Sequence, residues 1–517
     1  MCRRKITAIC INPKHEYKMF RKVFSLIHKI LGIPLSIIFV LWFLSGFAMI
    51  WYSFPRAKQP VPTDALSAEI LPMDTLLSIM PDSGSIRSLS VYRKYGRDVM
   101  KLSTNDSTIE VYANNLEPVP AFSEEFREVV VNNWCDARIA RIDTLEAVDQ
   151  WIPFERWNDK MPIFKYYFDD KEGHQLYMTT EGDVVQFTTA KDRRLAWLAG
   201  IPHWLYFTPL RKHQELWTDV VVWSALLGCV MCLSGIIVAI MVWWHQRKVY
   251  GLWHCPYRKP WWRWHFILGM LFGWCAITFS FSGYMSMGGM PSFLKKEKQE
   301  QKDPDSKNRD QRKRDRRRGG RGRMVVNPDR YLLPIAKVVA EGGDSIVSIQ
   351  WASWNDHPYY QVAYHNSRRN IDASVAGNIQ DFKLSAEMVE RDARKQFHDS
   401  VGITVSYISE YDDDYYGRDK DRNPLPVYKV VADDYMNTVI YYDPLTLSTH
   451  RVDDDGRSRR FLYKGLHALH IKALTDHPTV WYVVMFILLT GGSMLSVTGL
   501  VLALQWLWRT VRRLRRE

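Results

Sequence analysis

The chain has 517 residues, a formal net charge of +13 and 47% hydrophobic residues. The apolar residues are concentrated in four uninterrupted runs, each long enough to cross a bilayer. This distribution excludes an ordinary soluble protein and leaves the charge to the polar segments between the runs.

The four apolar runs predict four transmembrane helices. Lys and Arg are concentrated in residues 1–19, 247–262 and 509–517. Because basic residues mark the cytoplasmic side of a membrane, these three segments are predicted to be cytoplasmic. The apolar runs are Ile30–Trp51, Val220–Trp244, Phe266–Met287 and Val480–Trp508, and with their aromatic ends they predict spans over residues 20–52, 217–246, 263–288 and 479–508.

The two long segments between spans, residues 53–194 and 324–460, are then predicted to be extracytoplasmic domains. Each shows a short helical pattern followed by two strands around an acidic turn, which indicates an α+β fold. The second segment carries further strand patterns. The predicted strands are Ile163–Phe168, Gln175–Met178, Val427–Val431 and Val439–Tyr442, with further ones near Ile346–Trp351 and Tyr359–Ala363, and the helical patterns lie near Ser123–Trp134 and Ser385–Phe397.

The sequence repeats itself at two offsets. Residues of spans one and three match at an offset of 237, and residues of the outer segments and of spans two and four match at 264. The repeats predict two parallel two-span units, related by an axis along the membrane normal. The matched residues at 237 are His28, Gly32, Ser45 and Gly46 with His265, Gly269, Ser282 and Gly283. Those at 264 include Pro162, His203, His213, Trp217, Ser234 and Gly235 with Pro426, His467, His477, Trp481, Thr498 and Gly499.

A basic run over residues 295–323 is the expected source of the difference between the offsets. It holds fourteen basic and six acidic residues without apolar periodicity, so it is predicted to be a disordered tether. Attraction to anionic lipid headgroups or an anionic ligand is the alternative. Nucleic-acid binding is not expected, because the run lies outside the cytoplasm and no recognition fold accompanies it.

The repeated histidines sort into two levels of the membrane. His28 and His265 begin spans one and three and belong to the inner boundary, and their Ser-Gly pairs lie about 25 Å further along each helix. His203, His213, His467 and His477 precede spans two and four, in or beside the interfacial segments 195–216 and 461–478, and belong to the outer boundary. Each level therefore combines paired histidines with small residues on neighbouring helices.

That combination suits a haem held between helices, with imidazoles as axial ligands and small residues where the ring lies close to a backbone. Two stacked haems would give electrons a route across the membrane. The chain has no CxxCH motif, so such haems would be bound non-covalently. The small residues expected to pack against them are Gly32, Gly269, Ser45, Gly46, Ser282, Gly283, Ser234, Gly235, Thr498 and Gly499.

Three alternatives stay open for these residues. Histidine at a boundary can hydrogen-bond headgroups or water, and small residues can serve helix packing alone. Imidazole also suits a non-haem metal ion. Among the histidines, His213, His477 and His245 are secondary candidates, and the outer ligands are the harder choice.

The His-x3-Gly and Ser/Thr-Gly spans, the Leu-His segment before span four, and strand pairs such as Pro162–Tyr177 and Pro426–Tyr442 resemble the PepSY-associated transmembrane helix family. The resemblance covers nearly the whole chain except the basic run. It implies two PepSY-like outer domains and a location in the bacterial inner membrane. The chain is also similar to the ferric-siderophore reductases of this family, which carry b-type haem. On that basis the expected ligands of about two haems b are His28, His265, His203 and His467.

The leading hypothesis is a haem-dependent oxidoreductase that passes electrons outward to a ferric siderophore or other ferric chelate. The cytoplasmic segments are too short for a flavin or nicotinamide domain, so a separate cytoplasmic or quinol donor is expected. The alternative is a membrane-anchored PepSY binding or regulatory protein that modulates a peptidase. A permease is disfavoured, because the span midplanes offer few polar residues.

Overall fold

The computed structural model describes most of the chain. The basic run 295–323 lies outside the described residues, so its predicted disorder stays a prediction. The described residues are 13–57, 65–66, 86–94, 96–104, 107–120, 122–251, 255–288, 326–342, 345–365, 367–417 and 423–516.

Four long helices form the membrane part, as predicted: Pro13–Met49, Gln214–Tyr250, Pro260–Gly288 and Pro478–Leu514. All four contain apolar windows long enough to cross a bilayer, so this is a multi-pass membrane protein. The first helix packs against the second and fourth, and the third packs against the same two. The first and third helices therefore face each other across the bundle.

Glycines bring the fourth helix close to its neighbours. A Cβ on Gly492 would lie 2.1 Å from Cε1 of Phe43, and a Cβ on Gly491 would lie 2.3 Å from Cδ1 of Phe272. Two phenylalanine rings from the first and third helices thus pack directly on this backbone. Small residues at helix contacts have this role in membranes, where no hydrophobic force drives helices together.

Two four-stranded antiparallel sheets lie outside the membrane helices, and the predicted strand pairs are at their centres. The first has the order β4-β5-β6-β7 and the second β11-β12-β13-β14. A short helix accompanies each sheet, at Glu124–Asn132 and Ala386–Arg394. Ser385 caps the second by accepting from the Met388 amide, whereas Ser123 makes no side-chain cap bond. The strands are Ile139–Leu145 (β4), Ile163–Phe168 (β5), Gln175–Thr179 (β6), Val184–Thr188 (β7), Ile403–Ile408 (β11), Val427–Ala432 (β12), Val439–Tyr442 (β13) and Thr449–Val452 (β14).

The two sheets contain equivalent polar clusters. In the first, Asp149 accepts from Lys165 Nζ at 3.0 Å and from the Tyr177 hydroxyl at 2.8 Å. In the second, Asp412 accepts from Lys429 at 2.6 Å and from Tyr441 at 2.8 Å. Each carboxylate therefore joins two strands of its sheet to the segment before it. The lysines and tyrosines are separated by the same offset of 264 that relates the histidines.

A third sheet has six strands and draws three from each half of the chain, an arrangement that the sequence analysis did not predict. Its order is β10-β9-β8-β1-β2-β3, with β1 and β8 antiparallel at the centre. The residues before each set of strands cross over: Leu66 N donates to Ile346 O, and Val326 N to Ile86 O. Pairing β1 with β8 covers an edge that either three-stranded set would otherwise expose. The strands are Ser88–Lys94 (β1), Arg97–Ser103 (β2), Thr108–Tyr112 (β3), Ile346–Trp354 (β8), His357–Tyr364 (β9) and Arg368–Asp372 (β10).

One carboxylate makes the stability of this shared sheet dependent on pH. Burial by itself would raise the pKa of Glu110, but hydrogen bonds from Lys94, Lys101 and Tyr92 outweigh it and lower the pKa to about 2. The contribution of Glu110 is therefore complete above the unfolded-state pKa of about 4.3 and is lost as the pH falls toward 2.

We expect Glu110→Gln to lower the stability of the outer region at pH 7 by less than about 1 kcal/mol, because the ion pairs are partly solvated. The difference in melting temperature from the unsubstituted protein should shrink between pH 4.3 and pH 2 in thermal melts followed by circular dichroism. A difference that stays constant over this range would contradict the assignment.

Candidate functional site

Two histidines meet near one end of the bundle. His28, on the first helix, and His265, on the third, have ring centroids 6.1 Å apart with an interplanar angle of 40°. His28 Nδ1 lies 2.9 Å from the backbone oxygen of Met231, on the second helix. Because a carbonyl only accepts, Nδ1 carries the proton and donates it, which leaves the Nε2 lone pair of His28 available.

His265 also carries its proton on Nδ1. Its Nδ1 lies 3.1 Å from Oγ1 of Thr498, and that hydroxyl already donates its hydrogen to Leu495 O at 2.8 Å. The hydroxyl must therefore accept from Nδ1–H, and Nε2 of His265 is the unprotonated nitrogen. Met231 and Leu495, the two carbonyl positions, are again 264 residues apart.

The outer pair is built in the same way. His203 and His467 have ring centroids 5.9 Å apart, at an interplanar angle of 67°. Ser45 and Ser282 donate to Trp42 O and Phe279 O, and their oxygens lie 3.1 and 3.0 Å from Nδ1 of His203 and His467. Both hydroxyls therefore accept from Nδ1–H, and both Nε2 atoms are left without a proton.

Burial sets the charge of the outer pair. It lowers the pKa of His203 to about 3, an effect that the neighbouring His467 reinforces, and it also lowers the pKa of His467. Both rings are therefore neutral at physiological pH, which is the state in which imidazole ligates a metal.

The interfacial segments hold the outer histidines through a tryptophan and a chain reversal. Trp217 Nε1 donates to Trp204 O and Trp481 Nε1 to Ala468 O, both at 2.8 Å. Leu205 and Leu469 follow in the left-handed region, with φ of 52° and 49°. The offset of 264 relates Trp217 to Trp481 as it relates His203 to His467, and it was the sequence signal for this arrangement.

The small residues mostly serve the histidines themselves. A Cβ on Gly235 would lie 2.6 Å from Cε1 of His28, and a Cβ on Gly499 would lie 3.3 Å from Cε1 of His265. Ser45, Ser282 and Thr498 accept from the histidines as described, and the buried Ser234 donates to Met231 O. Gly46 instead packs closely on the fourth helix, where its Cβ would lie 2.9 Å from Leu489. Gly32 and Gly269 have their nearest neighbours at 3.8 Å, and Gly283 has none within 4 Å.

A cavity of about 540 Å³ lies beside the inner pair. Its walls include both inner histidines together with Gly32, Gly235, Gly269 and Gly499. Its volume is in the range of sites that hold a cofactor-sized ligand. The four predicted glycines thus border the same space as the two imidazoles.

The separation of the rings would allow each pair to hold one metal ion. Imidazole binds a metal at about 2 Å, so two rings on opposite sides of one ion would have centroids separated by roughly the 6.1 and 5.9 Å found in the two pairs. Among the described residues, no group of three or more His, Cys, Asp or Glu side chains could hold a metal ion. With two imidazoles at each level and a mainly apolar cavity beside the inner pair, the residues present would fit haem, whose ring supplies its own donor atoms.

The secondary histidines are not part of either pair. His213 and His477 immediately precede the second and fourth helices and make no side-chain cap bond. His245 stacks on Tyr17 with ring centroids 6.0 Å apart. The structure therefore brings together four of the seven predicted histidines.

A family model described as PepSY-associated TM region matches residues 25–509. No curated protein matches the chain. The matched region includes all four histidines of the two pairs.

Proposed function

The chain belongs to the PepSY-associated TM family, and from this membership and the two histidine pairs we propose that it is a membrane haem protein that moves electrons across the bilayer. The acceptor is a ferric siderophore or another ferric chelate on the outer side. The observation that carries the proposal is that Nδ1 of all four histidines lies within hydrogen-bond distance of a fixed acceptor, an arrangement that leaves each Nε2 free to bind a metal.

When bound, haem b at each level would supply a one-electron carrier with potentials set by its ligands and surroundings. His28 and His265 would hold the inner haem, and His203 and His467 the outer one. The acceptors of the Nδ1 protons fix the tautomer and rotation of each ring and increase its basicity as a ligand. Apolar residues make up most of the lining of the inner cavity.

Aromatic rings connect the two levels. Phe39 lines the inner cavity and lies 6.4 Å from Phe43, which lies 5.9 Å from Phe279. Phe279 lies 5.8 Å from His467. This packed series gives the electron a continuous protein path from the inner cavity to the outer histidines.

The balance of the reaction is one electron for each iron. A quinol or a separate reduced flavoprotein on the cytoplasmic side loses an electron, and the chelated Fe(III) outside becomes Fe(II). We place the protein in a bacterial inner membrane with both termini in the cytoplasm, since the basic segments flank that side of the spans. The outer sheets then lie in the periplasm.

Visible spectra of the purified full-length chain test the proposal. After expression with ample haem, reduced-minus-oxidised spectra should show a low-spin b-type signal, and a pyridine haemochrome assay should give about two haems per chain. Addition of a ferric chelate to the reduced protein should reoxidise it. A purified protein without haem would exclude electron transfer and favour a PepSY binding or regulatory role.

A further inference from the structure

The inner cavity is charged on one side only. Lys29 and Arg509 line it, from the first and fourth helices, together with Gln505. Among the described residues, no Asp or Glu lines the cavity, and neither cation forms an ion pair. Two unneutralised cations therefore border a mainly apolar space.

Lys29 reaches the fourth helix at Trp506. Lys29 Nζ lies 4.5 Å from the centre of the Trp506 ring, and Arg509 follows Trp506 by three residues on the same helix face. Trp506 itself lines the cavity. Lys29 is thus at the contact between the first and fourth helices, and Arg509 lines the same cavity from the fourth helix.

The opposite side of the cavity has no such charges. At the offset of 237, Lys29 corresponds to Phe266, which is buried and lines the cavity. At 264, Arg509 corresponds to His245, which stacks on Tyr17 instead. Tyr257 and Trp262 complete this aromatic side. The two halves therefore match in their histidines but differ in what surrounds the ligand.

We infer that Lys29 and Arg509 bind the two carboxylates of the inner haem and fix its rotation about the line between His28 and His265. Guanidinium binds carboxylate through paired hydrogen bonds, and ammonium acts as a compact charge. The carboxylates of the haem would then lie beside Lys29 and Arg509, and the opposite, apolar side of its ring would face Phe266. This inference rests on the proposed haem function.

A comparison of haem with its dimethyl ester separates the proposed haem site from the proposed role of the two cations. The ester has the same ring and iron, but its carboxylates carry no charge. Full-length apoprotein carrying His203→Ala and His467→Ala, in neutral detergent, isolates the inner site. It should bind haem about 10- to 100-fold more tightly than the ester. Adding Lys29→Gln and Arg509→Gln should reduce this preference to about twofold or less.

Arg512→Gln is the matched control. Arg512 is on the same helix, with its guanidinium 3.6 Å from the centre of the Trp508 ring, and it does not line the cavity. This substitution should leave the preference unchanged. Equal binding of haem and ester by the parent protein, or an equal loss of preference in Arg512→Gln, would overturn the inference and leave the haem proposal standing. Binding of neither compound would overturn the inference together with the inner haem site, on which the proposed transfer of electrons across the membrane depends.

A redox titration gives a second readout in the chain with all four histidines. Removing the two cations favours the ferric state, so Lys29→Gln with Arg509→Gln should lower the midpoint potential of one of the two haems. The other potential should stay unchanged. Two unchanged potentials would show that the cations serve only lipid headgroups at the interface.

Discussion

The protein carrying His28→Ala and His265→Ala is expected to keep one haem per chain, and the protein carrying His203→Ala and His467→Ala to keep the other. Each pair is held by its own set of acceptors, so loss of one pair leaves the geometry of the other intact. The measurement is the haem-to-protein ratio with the reduced-minus-oxidised spectrum of each full-length variant.

The haem retained in each variant is the internal control for folding. Reduction of a ferric chelate by membranes should fall to background in both variants, since each level is required in series. A protein that keeps both haems after loss of the inner pair would contradict the assignment of His28 and His265. Loss of both haems in either variant would contradict the independence of the two levels.

Gly235→Ala is expected to remove the inner haem almost as completely as loss of the histidines. The new Cβ would lie 2.6 Å from Cε1 and 2.7 Å from Nδ1 of His28. Such a contact must displace the imidazole and break its hydrogen bond to Met231 O, because both groups are on packed helices. The readout is the same haem ratio and spectrum.

The matching position in the other half gives a graded comparison. At Gly499 a Cβ would lie 3.3 Å from Cε1 of His265, so a shift of a few tenths of an ångström relieves the contact. Gly499→Ala should therefore weaken haem binding less than Gly235→Ala does. Gly283→Ala, where a Cβ meets no atom within 4 Å, should have no effect. If all three variants bind haem equally, the imidazole of His28 is not held where the structure places it.

Much of the site could be predicted from patterns in the sequence. Apolar runs of sufficient length must form helices in a bilayer, because every backbone polar group has to be satisfied within the segment. The strand pairs at β5–β6 and β12–β13 follow from alternation around an acidic turn. The offset of 237 also selects His28 with His265, since matching ionisable residues at span ends are rare without a function. The offset of 264 selects both His203 with His467 and His213 with His477, and the resemblance to the family favours the first of these two pairs.

The tertiary structure decided what each of these residues does. Gly235 and Ser45, which the sequence predicts to pack against a macrocycle, also contact His28 and His203 in the structure. Such contacts join residues about 160 to 200 positions apart, which no local pattern records. The shared sheet was missed for a related reason: the pairing of β1 with β8 joins residues about 260 positions apart, across two membrane helices.

The sequence by itself determined the membrane class, the four helices and the match of His28 with His265, because hydrophobicity, length and internal repetition are properties of the chain alone. The tertiary structure paired His203 with His467, and not His213 with His477. Only the tertiary structure decided which nitrogen of each histidine is free and which wall of the cavity is charged. Both depend on which backbone carbonyl, hydroxyl or cation a neighbouring helix brings within hydrogen-bond distance. Helix packing sets that distance, and the sequence of a single helix does not contain it.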